Sequence, residues 1–312
     1  MSSFPVADTL RVLRFPNLVV VVLTQLLVYY RVLTPALAEA GVAGALTMWR
    51  LAELVIITLA ITVSGYLIND IQDIRTDEVN RPGTNALRRL EPRKVYWYYV
   101  AAVLVGFMVS QLLAYRTGER ALLWIYSLAV TMLAVYSVGV KRIPVLGNLL
   151  VALYCAGVPG VLLLAERRAL WQVISTHPET GLSAVRITLL FMAFAFLATL
   201  LRELVKDLED LRGDAAVGRR TIPVRWGTTV SHRLCWTLGL GVAAALVSPF
   251  LFGWSAFVTP LLMLWTVALV VYLGYVLFGL TRSESPRDYH RLSTLLKAFL
   301  FGGLGLFAFY SL

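Results

Sequence analysis

The chain has 312 residues, 59% of them hydrophobic and only 15% charged, with a mean hydropathy of +0.75. That composition excludes an ordinary soluble domain and predicts an all-α integral membrane protein. The net charge of +10 then goes with anionic membrane lipid or a phosphorylated substrate, not with nucleic acid.

Nine apolar runs are long enough, or nearly so, to cross a bilayer, near residues 17–37, 46–69, 95–115, 121–140, 146–165, 185–203, 232–252, 255–280 and 293–311. No small-residue cleavage site follows the first run, which reads as a retained span. Nothing marks a soluble domain or linker, so a single domain over 1–312 is expected. The N-terminus and segments 70–94, 141–145, 204–231 and 281–292 hold most of the 28 Lys and Arg, alternating with poorer connections. Basic connections stay in the cytoplasm, so the N-terminus is predicted inside and the C-terminus outside. Cys155 and Cys235 fall in or beside apolar stretches and read as small buried residues, not as a disulfide or zinc ligands.

Two polar segments carry the same carboxylate spacing: Asn69-Asp70-x-x-Asp73-x-x-x-Asp77 and Asp207-x-x-Asp210-x-x-x-Asp214. On a helix turning about 100° per residue, positions i, i+3 and i+7 lie within roughly 60° of one another. Both stripes end a long apolar run on the predicted cytoplasmic side, which suggests two related aspartate-bearing halves. A single stripe could be a solvated helix end, with its aspartates paired to Arg75 and Arg81. Two sharing one spacing point to a hard cation with oxygen ligands, and Mg²⁺ commonly brings phosphate oxygens with it.

Arg75, Arg81, Lys141, Arg142, Arg202, Lys206, Arg212, Arg219 and Arg220 stand near the same ends. Topology alone calls for basic residues there, and direct contact with a diphosphate is the alternative. Lys141 closes the segment Tyr136-Ser-Val-Gly-Val-Lys141 and either snorkels to the interface or reaches a pyrophosphate. A metal–diphosphate site at the mouth of an apolar bundle suits a prenyl diphosphate that ionises to an allylic cation. The rings of Tyr66 and Tyr136 could face that cation or serve as interfacial anchors.

These motifs, the Tyr136 to Lys141 segment and the nine spans together resemble the UbiA superfamily of intramembrane prenyltransferases. The resemblance covers essentially the whole chain. It implies a helical bundle around a central cavity, two Mg²⁺ ions, a polyprenyl diphosphate donor and a lateral opening to lipid. Asn17, after Arg14-Phe-Pro, resembles a pocket-lining polar position of the family. It also implies substrate-binding roles for Asn17, Asn69, Arg75, Arg81, Arg202, Lys206, Arg219 and Arg220, catalytic roles for Asp70, Asp73, Asp207, Asp210, Lys141, Tyr136 and Tyr66, and metal contacts for both aspartate triplets. The stretches Arg202-Glu-Leu-Val-Lys206-Asp207-Leu-Glu-Asp210-Leu-Arg-Gly213-Asp214 and Asp77-Glu-Val-Asn80-Arg81-Pro82 are similar to the geranylgeranylglycerol-phosphate geranylgeranyltransferase branch. The acceptor is then a lipophilic or phosphorylated molecule: a glycerol phosphate ether, or an aromatic ring as in quinone synthesis. A basic loop bearing Arg219, Arg220 and Arg225 suits the former. The setting is the cytoplasmic membrane of a prokaryote, with the site facing inward.

Other classes fit less well. A transporter would place carboxylates along a path through the membrane, not at one face. A CDP-alcohol phosphotransferase packs its acids into one continuous segment, and a soluble terpene synthase has no nine spans.

Overall fold

Inside hydrocarbon every backbone N–H and C=O needs a partner within its own segment, so long apolar runs can only be helices. The computed structural model describes residues 12–80, 92–140, 143–254 and 259–310, with the side chains of 75–80, 92–94 and 138 excepted, and among these the secondary structure is helical throughout. In chain order the helices are α1 (Phe15–Val28), a π-helical turn (Tyr29–Leu33), α2 (Thr34–Glu39), α3 (Met48–Asn80), α4 (Pro92–Thr117), α5 (Ala121–Val138), α6 (Leu146–Ala165), α7 (Arg167–Thr176), α8 (Pro178–Glu209), α9 (Leu211–Ala216), α10 (Ile222–Leu251), α11 (Pro260–Leu280), α12 (Pro286–Gly303) and α13 (Gly305–Phe309).

Among the described residues eight helical segments are long and apolar enough to cross a membrane, and Ala121–Ser137 is a shorter apolar one. These nine follow the nine runs of the sequence, with three beginning well before their runs: the sixth at Pro178, the seventh at Ile222 and the ninth at Pro286. Large apolar side chains such as Trp97, Met108, Trp124 and Leu264 remain exposed, as a lipid solvent permits. The polar connection after the fifth span, which hydropathy leaves unassigned, holds the amphipathic α7. Its Ala169 and Val173 pack on Leu37 while Trp171 stays exposed. The π-helical turn lies just before Pro35. A proline ring crowds the carbonyl one turn back, and a widened turn relieves that clash.

The chain divides into two compact units, one of residues 1–25, 45–141 and 164–166, the other of 26–44, 142–163 and 167–312. In the first, α3, α4 and α5 run up, down and up against one another. The buried Gln25 Nε2 donates to Thr58 Oγ1 at 2.9 Å and ties the first span to α3. Asp70 and Asp73 lie in the last turns of α3, and Tyr136, near the end of α5, lies at the same end of this unit.

In the second unit α8 packs against α7, α10 and α12, and α11 packs against α10 and α12. The aromatic rings of Phe191, Phe194, Phe299 and Phe307 meet at 4.4–5.8 Å between centroids and fill its core. α10 is broken near its start at Gly227, whose φ of 80° and ψ of 170° a side chain would resist. The straight part of α10 therefore begins at Thr228. Arg31 seals the C-terminal helix, donating to the carbonyls of Phe307, Ala308 and Tyr310 at 3.4, 3.3 and 2.6 Å.

Candidate active site

α3 runs unbroken to Asn80, so Asp70 and Asp73 are one turn apart on it. Asp70 Oδ1 accepts from Arg14 Nη2 at 2.5 Å. The Arg14 guanidinium also lies 4.6 Å from the centroid of the Tyr66 ring, and Asn17 Nδ2 donates to Tyr66 Oη at 3.1 Å. Arg14 reaches both partners from a turn with φ of 50°, closed by the Asn17 N–H on its carbonyl at 2.8 Å. Asn17, Tyr66 and Asp70 are thus brought together, with Arg14 among them. Asn69 and Asp73 are half-buried beside them, and Tyr136 is half-buried at the same end of the unit. The side chains of Arg75 and Asp77, and residues Arg81, Lys141 and Arg142, lie outside the described residues.

In the second unit α8 stops at Glu209. Asp210, with φ of −90° and ψ of 4°, is the hinge into α9, so the second stripe bends where the first runs straight. Asn148 Nδ2, two residues into α6, donates to Asp207 Oδ2 at 2.7 Å. Asp214 is buried in α9. Gly218, with φ of 72°, ends that helix in a Schellman turn: its N–H meets the Ala215 carbonyl, and the Arg219 N–H meets the Asp214 carbonyl at 2.9 Å. The turn sends the Arg219 side chain back to Asp214 Oδ1 at 3.4 Å. Burial pushes the Asp214 carboxyl up to about 6, with the Arg219 charge opposing and Asp210 adding to the rise.

Arg202, one turn before Lys206, pairs with Glu203 at 2.6 Å. Its Nε is buried with no hydrogen-bond partner among the described residues. Arg220 is exposed.

Mg²⁺ takes hard oxygen donors and usually one or two carboxylates plus phosphate oxygens, not an all-protein cage. Among the described residues no group of three His, Cys, Asp or Glu side chains converges as a cage. Pairs of aspartates with a neutral amide and an arginine close by fit Mg²⁺ carried with a phosphorylated ligand. Arg14 and Asn148 were not assigned from sequence. An arginine just before an apolar run and an asparagine just inside one are the signals that could have marked them.

Residues 32–302 match the UbiA prenyltransferase family, and the chain belongs to it. It is an integral membrane prenyltransferase. A digeranylgeranylglyceryl phosphate synthase from Methanoculleus marisnigri is 33% identical over 97% of this chain and 98% of its own length. Another, from Methanopyrus kandleri, is 30% identical over 71% of this chain and 74% of its own. Among solved structures, one of digeranylgeranylglyceryl phosphate synthase superposes with a TM-score of 0.64 at 17% identity, covering 97% of this chain and 96% of that one. A UbiA homologue from Archaeoglobus fulgidus, bound to dimethylallyl diphosphate and Mg²⁺, superposes with a TM-score of 0.53 at 15% identity, covering 96% of this chain and 99% of that one.

Proposed function

We propose that the chain transfers a geranylgeranyl group from its diphosphate to the free hydroxyl of geranylgeranylglyceryl phosphate, forming the second ether of an ether lipid. The reading rests on one observation above the others: a carboxylate pair ends the apolar span in each unit, in a chain matched end to end by a synthase of that activity. Asp70, Asp73, Asp77, Asp207, Asp210 and Asp214 hold the metal, as two ions, at the cytoplasmic face of a prokaryotic membrane. Both units act as one catalytic domain.

Bound Mg²⁺ supplies the Lewis acidity that draws electron density from the bridging oxygen. The chain's own groups do the rest. Lys141, Arg75, Arg81, Arg202 and Lys206 offset the charge left on the diphosphate as the allylic C–O bond breaks and its electron pair departs with oxygen. Asn17 and Asn69 orient the head group. The Tyr66 and Tyr136 faces stabilise the allylic cation. The acceptor hydroxyl oxygen bonds to the cationic carbon and passes its proton to an oxygen of the departed diphosphate, and Arg219, Arg220 and Arg225 hold the acceptor phosphate.

The test uses purified protein in detergent with Mg²⁺ and labelled geranylgeranyl diphosphate, offering geranylgeranylglyceryl phosphate and 4-hydroxybenzoate in parallel. Label should enter the glycerol ether, and Asp70→Ala or Asp207→Ala should abolish transfer while membrane insertion persists. Transfer to the aromatic acid alone would overturn the acceptor and move the enzyme to quinone synthesis. Full activity in either aspartate variant would sink the metal assignment.

A further inference from the structure

α10 and α11 leave a groove between them at the end of the second unit where α8 delivers its aspartates. It has a volume of about 580 Å³ and is lined by Thr228, Thr229, His232, Arg233, Trp236 and Thr237, with Thr281 at the end of α11. Residues 229, 232, 233, 236 and 237 follow helical spacing and form one face of α10. No carboxylate lines the groove, and the Arg233 guanidinium has no ion pair among the described residues. The chemistry suits a phosphate ester carrying hydroxyls: the Arg233 guanidinium for the anion, an imidazole, and threonine hydroxyls of which Thr237 and Thr281 already donate to the Arg233 and Phe278 carbonyls and so only accept from a ligand.

The imidazole is fixed. Tyr289 Oη donates its single hydrogen to the Ser283 carbonyl at 2.9 Å, so it accepts from His232, whose Nε2 lies 3.1 Å away. In the neutral ring Nδ1 is then the acceptor, suited to a ligand hydroxyl.

Depth identifies the ligand. From the break at Gly227, α10 runs over residues 228–251, about 36 Å at 1.5 Å per residue, slightly more than the roughly 30 Å of hydrocarbon. The Arg233 Cα lies about 8 Å along that stretch, about 5 Å inside the hydrocarbon edge, and its exposed side chain is long enough to snorkel out to the lipid head groups. Trp226 and Trp236 are partly exposed at the same level, as interfacial aromatics are. Arg282, next to Thr281, lies over the Phe278 ring at 4.5 Å and adds a second cation there.

We propose that this groove binds the head group of an anionic glycerophospholipid, with the phosphate on Arg233 and the head-group hydroxyls on His232 and the threonines. None of the residues lining the groove is among those assigned to prenyl transfer, and its occupancy does not depend on which acceptor the enzyme uses.

The test is native mass spectrometry of the delipidated full chain with equimolar phosphatidylglycerol and phosphatidylcholine, repeated with Arg233→Gln and Thr237→Val. Both residues are exposed, and prenyl transfer in detergent should persist in both variants. Wild type should retain phosphatidylglycerol in preference, and Arg233→Gln should lose about tenfold in retention, as expected for one charge-assisted contact. Thr237→Val should lose less. Equal retention of the two lipids, or undiminished retention by Arg233→Gln, would overturn the proposal. So would displacement of the lipid by equimolar glycerol 3-phosphate, which would make the groove a site for soluble phosphate esters.

Discussion

Asn148 Nδ2 donates to Asp207 Oδ2 at 2.7 Å across 59 residues of sequence. A neutral amide orients a carboxylate without cancelling its charge, so Asp207 is fixed yet still able to hold a cation. Groups that orient metal ligands in this way typically contribute about 10–100-fold in metal affinity. Asn148→Leu should therefore raise the Mg²⁺ concentration for half-maximal turnover by about tenfold or more, with the maximal rate largely recovered at high Mg²⁺. A Mg²⁺ titration of turnover reads this directly, and an unchanged curve would mean the bond orients nothing.

Arg14 does the opposite for Asp70: it brings a full positive charge to 2.5 Å from the carboxylate and rests on Tyr66. Without metal this pair keeps a half-buried carboxylate compensated. Arg14→Gln removes that compensating charge, so the metal-free protein should melt at lower temperature. Mg²⁺ with a diphosphate should restore part of the loss by supplying the missing charge. Thermal melts with and without Mg²⁺ and pyrophosphate check this, and equal destabilisation in both conditions would show Arg14 to be only a packing element.

The spans were legible because hydropathy over about 20 residues is a local quantity. The aspartate stripes were legible because helical spacing is local too. Arg14 and Asn148 were not, since each acts on a carboxylate 56 or 59 residues away and contact at that range is set by packing. The break at Asp210 was hidden for a different reason: Leu211 to Ala216 is helical again, so periodicity passes over one residue of altered φ and ψ. α7 was hidden because its apolar face is too short to register as a span, and what it covers, Leu37 and part of α8, is distant or set by packing.

Asp214 links site chemistry to pH. Burial holds its carboxyl up to about 6 against the pull of Arg219. Above that pH it is ionised and can hold a cation; below it a proton competes. The Mg²⁺ requirement should therefore climb as pH falls through 6, by about tenfold per unit if one proton is displaced per ion. Arg219→Gln removes the opposing charge, so the same rise should begin at higher pH. Mg²⁺ titrations at several pH values test both statements, and an Arg219→Gln midpoint shifted downward would contradict the assignment of charges.

Glu166 acts far from this chemistry. Its fully buried carboxylate accepts from the Ala45 N–H and the Leu46 N–H, each at 2.7 Å. These donors precede α3, whose opposite end carries Asp70, so the carboxylate anchors the start of the helix that ends in the first aspartate stripe. Glu166→Ala strands two buried backbone donors and should cost about 2–4 kcal/mol. Glu166→Gln keeps one carbonyl oxygen as acceptor but turns an amide N–H toward the other donor, so it should fall between alanine and wild type. Turnover per folded molecule should be unchanged in both, because the bonds lie at the end of α3 away from Asp70. Melting temperature and specific activity measured on the same preparations separate the two effects. Loss of activity without loss of stability would mean that Glu166 takes part in the reaction itself.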